Sequence, residues 1–325
     1  MQMLFLFIII TSIILFAIEL LYFKIAGHYN IIDKPNHRSS HTQITIRGGG
    51  IIFTIGLLLY SIYTGFIYPY FLIGLVAIST ISFVDDVKPA SNKVRILVHL
   101  LAVALMFYQL NMFVLPFYWI LLALIFAIGA INAINFMDGV NGITGGYGLV
   151  TLGTLYYINS SLTRFTPDNL LLIAILAVLV FNFFNFRTKA KCFAGDVGSV
   201  SLAFIILFFL LSLITKTKNP YYFILLLVYG LDTFTTIMFR LIRRENIFEA
   251  HRHHFYQYLA NEKKIPHLLV AGLYMFVQII VNTMLITFLT ASNFNLALLV
   301  VIATMIFILI RLFMEGSKRL FHVTE

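Results

Sequence analysis

Charged residues are scarce in this chain. Asp, Glu, Lys and Arg make up only 11% of its 325 residues, whereas 61% of the residues are hydrophobic. Soluble domains carry about 25% charged residues, so a water-soluble globule is excluded because it could not bury this much apolar surface. The composition instead predicts an integral membrane protein whose apolar side chains face lipid.

Cysteine is nearly absent, and the first apolar stretch lacks the marks of a cleaved signal peptide. The single Cys192 excludes an internal disulfide and says nothing about the compartment. Residues 3–23 have no basic start and no clear small-residue cleavage site, so they are predicted to remain as a membrane helix. The excess of basic residues is expected to orient the protein in the membrane, and no nucleic-acid partner is predicted.

Long hydrophobic runs predict an all-α, polytopic membrane fold with about eleven transmembrane helices in one domain, residues 1–325. Several runs are short for a hydrocarbon layer about 30 Å thick, which is typical of broken helices or of helices buried by others. We find no internal repeat and no low-complexity linker. The predicted spans are 3–23, 48–66, 69–84, 94–111, 114–133, 143–158, 168–185, 198–215, 221–239, 267–290 and 295–314.

Positive charge is divided unevenly between the two sides that these spans define. All but three of the 22 Lys and Arg residues fall on the side of the C-terminus, the exceptions being Arg164, Lys216 and Lys218. The positive-inside rule therefore predicts a cytoplasmic C-terminus and an N-terminus outside. Most acidic residues share the cytoplasmic side, so the active site is predicted there. Its loops would be 24–47, 85–95, 132–146, 186–199 and 240–266.

The segment SFVDDVKPASNKVR ends the third predicted span with two adjacent carboxylates, Asp85 and Asp86. Two neighbouring carboxylates repel each other, and a carboxylate near lipid is also costly. A nearby cation would relieve both penalties, and Arg95 is one of three basic residues that follow. A solvated loop that begins with acids is the plainer alternative.

The segment NAINFMDGVNGITGG places amides and a carboxylate at three-residue intervals. If the fifth span stays helical to its end, Asn132, Asn135 and Asp138 share one face. Such a face can offer oxygens to a cation and amide hydrogens to a phosphate. The plainer alternative is an Asn- and Gly-rich helix exit, which would not need two Asn on the face of the Asp.

The segment CFAGDVGSVSLAF places Asp196 between two glycines at the start of the eighth predicted span. Ser199 is a candidate N-cap for this helix, and free amides at a helix start also favour anions. The alternative is a capped turn with an incidental Asp.

The segment EAHRHHFYQYL follows several arginines, including Arg243, in the longest predicted cytoplasmic loop. His251, Arg252, His253 and His254 predict an anion site, because guanidinium groups bind phosphate bidentately. A zinc site formed by the three His is the sharper alternative, although no Cys or fixed fourth ligand supports it. A basic stretch that meets anionic lipid headgroups is the plainer one.

Two further features stand apart from these motifs. Arg38, His41 and Arg47 with the glycine triplet 48–50 could cradle a phosphate, although tight helix packing explains the triplet equally well. Asp232 lies within the ninth predicted span, where a carboxylate is a functional candidate by default. The alternative for Asp232 is a break in that helix near the cytoplasm.

These signals converge on one kind of chemistry. Acids and amides suit Mg²⁺, a hard cation that prefers oxygen ligands, whereas Arg and His suit phosphates. A membrane protein with both at one face is predicted to catalyse phosphoryl transfer between a soluble nucleotide and a lipid. Such catalysis would depend mainly on positioning and charge neutralisation.

Five ordered motifs between residues 33 and 257 resemble those of the polyprenyl-phosphate N-acetylhexosamine-1-phosphate transferases. They are DKPNHRSSH with TIRGGG, DDVKPASNKVR, NAINFMDGVNG, GDVGS and AHRHHFYQ. The last is more similar to the O-antigen and capsule branch than to the phospho-muramoyl-pentapeptide transferase, whose loop has three consecutive His. The chain departs from the family at His99, where Gln is frequent, and in having no third acid after Pro89.

The resemblance implies transfer of an N-acetylhexosamine-1-phosphate, or of a 6-deoxy relative, from a UDP-sugar to undecaprenyl phosphate. UMP would leave, and the lipid-diphosphate sugar would initiate a cell-surface polysaccharide at the inner membrane. The implied cofactor is Mg²⁺, with Mn²⁺ as the alternative metal. The implied partners are the UDP-N-acetyl sugar, undecaprenyl phosphate and membrane lipid, and a homodimer stays open.

The resemblance also implies roles for individual residues. Asp196 would bind the metal with help from Asn135, while Asp85 or Asp86 lies near the attacking phosphate and Asp138 holds the nucleotide or the geometry. Because Mg²⁺ usually takes only one or two protein carboxylates, these acids cannot all be ligands. The predicted catalytic set is Asp85, Asp86, Asp138 and Asp196. The predicted substrate-binding set is Arg95, Asn132, Asn135, Arg243, His251, Arg252, His253 and His254.

Three alternatives compete with this interpretation. The muramoyl-pentapeptide transferase is the main rival within the family. A secondary transporter would place ionisable groups near the membrane midplane, and only Asp232 fits that arrangement. A lipid-phosphate phosphatase would need a nucleophile and water but no UDP-sugar.

Overall fold

The computed structural model describes residues 2–33, 44–247, 249, 251–288 and 293–322. Within these residues the chain forms thirteen α-helices and one pair of short antiparallel strands, β1 (Ile32–Asp33) and β2 (Thr45–Ile46). Most of DKPNHRSSH, including Arg38 and His41, lies outside the described residues, as do residues 34–43 of the predicted loop 24–47. The helices are α1 (Gln2–His28), α2 (Ile51–Thr64), α3 (Pro69–Val87), α4 (Asn92–Gln109), α5 (Phe117–Met137), α6 (Ile143–Ser161), α7 (Asp168–Asn185), α8 (Gly195–Thr217), α9 (Leu227–Ile242), α10 (Phe255–Gln257), α11 (His267–Phe288), α12 (Asn293–Glu315) and α13 (Ser317–Phe321).

The predicted all-α, polytopic membrane fold is confirmed. In the described part of the chain, eight helical segments are long and apolar enough to cross a membrane. They are Leu4–His28, Pro69–Val87, Phe117–Met137, Asp168–Asn185, Gly195–Thr217, Pro220–Ile242, His267–Phe288 and Asn295–Glu315. The predicted count of eleven spans and the predicted orientation stay predictions.

Helix α8 lies at the centre of the bundle. Its side chains from Val197 to Leu213 are buried on every side, as expected for a helix that is apolar all round. Phe71 of α3 stacks on Phe208 of α8 with ring centroids 3.9 Å apart. By contrast, α1 and α12 are largely unburied and apolar, so their outer faces suit lipid.

The glycine triplet packs against the start of α8, backbone to backbone. The N–H groups of Gly49 and Gly50 donate to the carbonyls of Phe193 and Ala194 at 2.9 and 3.1 Å. A Cβ on Gly50 would lie 2.2 Å from the Cα of Gly198. These two N–H groups are therefore already bonded within the protein. Tight helix packing, the second interpretation of the triplet, is what the structure shows.

The ninth predicted span is broken, but the break is not at Asp232. A 3₁₀-helix covers Pro220–Leu226, and the α-helical hydrogen bonds of α9 begin only at Leu227. Gln278 of α11 donates to the Ile224 carbonyl at 3.0 Å and accepts the N–H of Val228 at 3.0 Å. An unsatisfied backbone group in hydrocarbon costs several kcal/mol, so Gln278 makes the break tolerable. Asp232 lies inside α9, and its placement at the break is wrong.

Candidate active site

Asp86, near the end of α3, holds the start of α8. Its carboxylate accepts the N–H groups of Asp196 and Val197, each at 2.9 Å, and its side chain is fully buried. A carboxylate at this position is favoured by the partial positive charge of the helix N-terminus. Helix α8 consequently begins at Gly195, three residues earlier than predicted. Ser199 is therefore not its N-cap.

Asp196 lies between two arginines. The guanidinium of Arg47 contacts Asp86 at 2.7 Å and approaches one Asp196 oxygen at 3.6 Å. The guanidinium of Arg95 contacts Asp85 at 2.7 Å and approaches the other Asp196 oxygen at 3.6 Å. We call these five residues the arginine–aspartate cluster. Because both contacts to Asp196 are long and its side chain is 22% exposed, this carboxylate can accept another ligand.

Asp85 has a second contact that shapes its loop. Its other oxygen accepts the N–H of Ala90 at 2.7 Å, which closes the DDVKPA turn. Its side chain is only 11% exposed. Asp85 and Asp86 are thus both engaged within the protein rather than dispersed in a solvated loop.

The amides at the end of α5 divide between two environments. The Asn135 Oδ1 accepts the hydroxyl of Ser199 at 2.5 Å, which places it beside the start of α8. Asn132, one turn earlier, donates to the Ile128 carbonyl of its own helix at 2.9 Å. The helix ends at Met137, and Asp138 is its C-cap residue. Of the two amides predicted to share a face with Asp138, Asn135 lies beside the cluster. The substrate-binding role of Asn132 stays a prediction.

Asp138 lies partly buried close to the arginine–aspartate cluster. Burial raises the pKa of Asp138 from 3.8 to about 6, and the Asp86 carboxylate adds to the rise whereas Arg47 opposes it. Ionising this group therefore costs folding free energy. Because the pKa is higher in the folded than in the unfolded chain, stability is expected to fall as the pH rises from about 4 to about 6.

The substitution Asp138→Asn is expected to stabilise the magnesium-free protein at pH 7.5 while lowering its activity. The gain is about 1–2 kcal/mol, allowing for partial exposure to solvent, and it should vanish near pH 4, where the wild-type carboxyl is protonated. Thermal melts of both proteins across this pH range measure the effect. A lower melting temperature for Asp138→Asn at pH 7.5 would show instead that the ionised carboxylate stabilises the fold.

Residues 251–254, which we call the His loop, lie against the end of α5. The ring of His251 stacks on those of His254 and His253 with centroids 5.1 and 5.8 Å apart. The ring of Phe136 lies 6.2 Å from that of His251, and the hydroxyl of Tyr256 donates to the Phe136 carbonyl at 2.8 Å. Phe136 is next to Asn135 in sequence. The His loop is therefore anchored beside the cluster.

The described residues give the His loop no metal site. Burial, followed by the nearby His254 and Arg240, lowers the pKa of His251 to about 3, so its ring is neutral at physiological pH. Among the residues that the structure describes, no three His, Cys, Asp or Glu side chains are arranged to hold a metal ion. The zinc alternative for the three His is thus not supported. Arg252 lies in the same loop, and its predicted role stays a prediction.

Arg243 makes contacts outside this group. Its guanidinium donates to Glu245 at 2.5 Å and to the Arg319 carbonyl of α13 at 3.1 Å, and the residue is buried. Arg240 likewise binds Glu245, at 2.9 Å. These contacts hold Glu245 and α13 in place. The substrate-binding role predicted for Arg243 receives no support from them and stays a prediction.

Arg47 and Ser199 were missing from the predicted site residues. Arg47 precedes the glycine triplet and belongs to the TIRGGG motif, but neither feature shows that it contacts Asp86 and approaches Asp196. Ser199 was recognised as polar at the helix start, but its bond to Asn135 joins residues 64 positions apart. Neither contact follows from local spacing.

Comparison with known proteins shows what this chain is similar to. Residues 68–214 match the model of glycosyl transferase family 4, a stretch that includes every residue of the arginine–aspartate cluster except Arg47. This match, which covers a little under half of the chain, supports the family predicted from the motifs. One relative is a probable undecaprenyl-phosphate N-acetylglucosaminyl 1-phosphate transferase of Bacillus subtilis (strain 168). It is 28% identical over 241 residues, which cover 68% of this chain and 66% of that relative, just under two thirds of its length.

Proposed function

We propose that this protein transfers N-acetylhexosamine-1-phosphate from a UDP-sugar to undecaprenyl phosphate and releases UMP. The observation that carries the proposal is the arginine–aspartate cluster, in which Asp196 lies between Arg47 and Arg95 beside Asn135. This cluster combines oxygen donors for a cation with guanidinium groups for phosphates. The family and the name of the B. subtilis relative support the same reaction. The lipid-linked product would initiate a cell-surface polysaccharide.

The donors in the cluster fit Mg²⁺. Asp196 offers a partly exposed carboxylate, and Asn135 offers an amide oxygen that Ser199 holds in place. Both are hard oxygen ligands, and Mg²⁺ commonly takes one or two carboxylates and completes its shell with water and phosphates. Bound there, Mg²⁺ or Mn²⁺ would neutralise charge on the diphosphate. Asp86 is committed to the start of α8 and would support the site without binding the metal.

In the proposed reaction an oxygen of the lipid phosphate bonds to the β-phosphorus of the UDP-sugar. The bond from that phosphorus to the oxygen of UMP breaks, and its electron pair leaves with UMP. The nucleophile is already ionised near neutral pH, so no general base is needed. Arg47 and Arg95 lie on either side of Asp196, where the diphosphate would bind. Their N–H groups would donate to its phosphate oxygens. They would thereby orient the diphosphate and offset its charge.

The His loop would bind the sugar-diphosphate. Its anchoring to the end of α5 places it beside the cluster, and the side chain of His253 is 40% exposed. Imidazole N–H groups and the Arg252 guanidinium can donate to hydroxyl and phosphate oxygens. We propose N-acetylglucosamine as the first sugar to test, since the relative's name specifies it.

The test is exchange of labelled UMP into UDP-GlcNAc by the purified protein in lipid nanodiscs. We expect exchange only when undecaprenyl phosphate and Mg²⁺ are both present. Labelled UMP can enter UDP-GlcNAc only after the sugar phosphate has passed to the lipid, when the reverse reaction returns it to UMP. A panel containing UDP-GalNAc, 6-deoxy sugars and UDP-MurNAc-pentapeptide would identify the sugar and test the muramoyl alternative. Folded protein that exchanges UMP with no UDP-sugar would contradict the proposal.

A further inference from the structure

Asp232 of α9 is a fully buried carboxylate that the proposed reaction does not use. Five groups donate to it: the N–H of Phe255 at 2.9 Å, the N–H of Tyr256 at 3.1 Å, the hydroxyl of Tyr274 at 2.6 Å, the hydroxyl of Thr236 at 3.2 Å and the Nδ1 of His254 at 3.2 Å. Such a saturated carboxylate acts only as an acceptor. The two N–H groups open α10, directly after the His loop.

This arrangement fixes the hydrogen on one nitrogen of His254. Because the Asp232 carboxylate accepts, the Nδ1 of His254 must carry a hydrogen. The Nε2 atom is then the only ring nitrogen whose hydrogen bonding can change. It is buried and has no hydrogen-bond partner among the described residues. A buried polar atom without a partner is costly, and a ligand that bonded to it would remove the cost.

The surroundings of the ring place it next to the proposed site. The ring of His254 lies 5.1 Å from that of His251 and 6.4 Å from that of Phe136, measured between centroids. Phe136 follows Asn135, and its carbonyl accepts the Tyr256 hydroxyl. His254 is therefore held between Asp232 on its Nδ1 side and the end of α5, where the metal-binding amide lies.

The backbone of the His loop has a second, separate anchor. Arg311 of α12 is buried and donates to the His253 carbonyl at 2.9 Å and to the Thr236 hydroxyl at 2.8 Å. Arg311 thus holds the loop without touching the ring of His254. Among the described residues, Asp232 contacts both the ring of His254 and the backbone that follows it, whereas Arg311 holds the backbone of the loop.

We infer that Asp232 is a positioning residue, which holds the ring of His254 so that its Nε2 accepts a hydrogen bond from a hydroxyl group of the UDP-sugar. This inference rests on the proposed function. It follows the general pattern in which a carboxylate fixes the tautomer and orientation of a working imidazole. The same carboxylate, inside a membrane helix, needs no transport role.

A double-mutant cycle tests the inference with kcat and KM for UMP exchange by the full-length protein in nanodiscs. Asp232→Asn is expected to lower kcat/KM about 10- to 100-fold, the usual effect of losing the partner that orients an imidazole. In a His254→Ala background the same substitution should change kcat/KM less than about 2-fold, because the ring through which it acts is gone. An equal loss in both backgrounds would overturn the inference.

Tyr274→Phe is the matched control. It removes a hydroxyl that donates to the same carboxylate but does not touch His254. Its melting temperature should fall, while kcat/KM stays within about 3-fold of wild type, the effect expected of a modest loss of stability alone. A loss of activity equal to that of Asp232→Asn would show that Asp232 only supports the fold, and the inference would be wrong.

NMR of protein labelled with ¹⁵N-histidine gives a readout that does not require activity or a folded Asp232 variant. The wild type should show a His254 Nδ1 that carries hydrogen, with the signal assigned by its absence from His254→Ala. A His254 whose Nδ1 lacks hydrogen would overturn the inference. A wild type without UMP exchange would sink the proposed function, whereas the tautomer would still report on the Asp232–His254 contact.

Discussion

Asp196→Asn is expected to abolish UMP exchange while leaving the protein folded. Asn has nearly the same shape as Asp but carries no charge, so the proposed site loses its exposed carboxylate and both guanidinium groups lose a counter-ion. Removing one preorganised electrostatic partner from an active site costs about 10²–10³ in rate. We expect a loss at or above that range, measured as labelled UMP entering UDP-GlcNAc in nanodiscs.

The fold should tolerate this substitution because the contacts of Asp196 contribute little to stability. Its two ion pairs are both 3.6 Å long, and its side chain is partly exposed, so each is worth little. The start of α8 is held instead by Asp86. The melting temperature of Asp196→Asn should therefore match that of wild type, which separates lost chemistry from lost structure.

Asp168→Asn is the control for this experiment. Asp168 begins α7 on the predicted outer side, and its side chain is 41% exposed, with Arg164 4.0 Å away. Its substitution also removes one carboxylate but should leave exchange unchanged. Normal exchange by folded Asp196→Asn, or equal losses in both variants, would contradict the assignment of the site to the arginine–aspartate cluster.

The sequence predicted the helices and every residue of the cluster except Arg47, because both depend on local patterns. Long apolar runs mark helices that face lipid or one another, and Asp85, Asp86 and Asp196 stand out in a chain with so few charges. Their convergence followed from their placement on one predicted face. The family motifs then supplied roles for the individual residues.

The features that the sequence did not show have a common physical cause, which is contact between distant parts of the chain. Helix α8 begins at Gly195 because Asp86, 110 residues before Asp196, accepts its first N–H groups. The partners of Asp232 lie up to 42 residues away, so nothing near it in sequence shows that it binds the His loop. The contact of Arg243 with α13 spans 76 residues. No local periodicity reports such pairs.

The glycine triplet also depends on a contact between distant parts of the chain. Gly50→Ala is expected to cause the largest loss of stability. The backbone of Gly50 has φ −69° and ψ −3°, which any residue can adopt. Its requirement for glycine is therefore purely one of space. An added Cβ would lie 2.2 Å from the Cα of Gly198 and 3.0 Å from the carbonyl oxygen of Ala194. Neither neighbour is a side chain that could rotate away.

Gly50→Ala must consequently push the start of α8 away from α2. Overpacking a core typically costs about 1–3 kcal/mol and occasionally more, and we expect a loss of about 3 kcal/mol or greater here because both obstructing atoms belong to backbone. Thermal unfolding in detergent measures this loss of stability.

Gly153→Ala is the matched control. A Cβ on Gly153 meets nothing within 4 Å inside α6, and Ala should stabilise that helix by about 0.5–1 kcal/mol. Equal melting temperatures for the two variants would disprove the close packing of α2 on α8. A displaced α8 would also carry Asp196 away from Arg47 and Arg95, so any Gly50→Ala protein that folds should lose exchange activity as well.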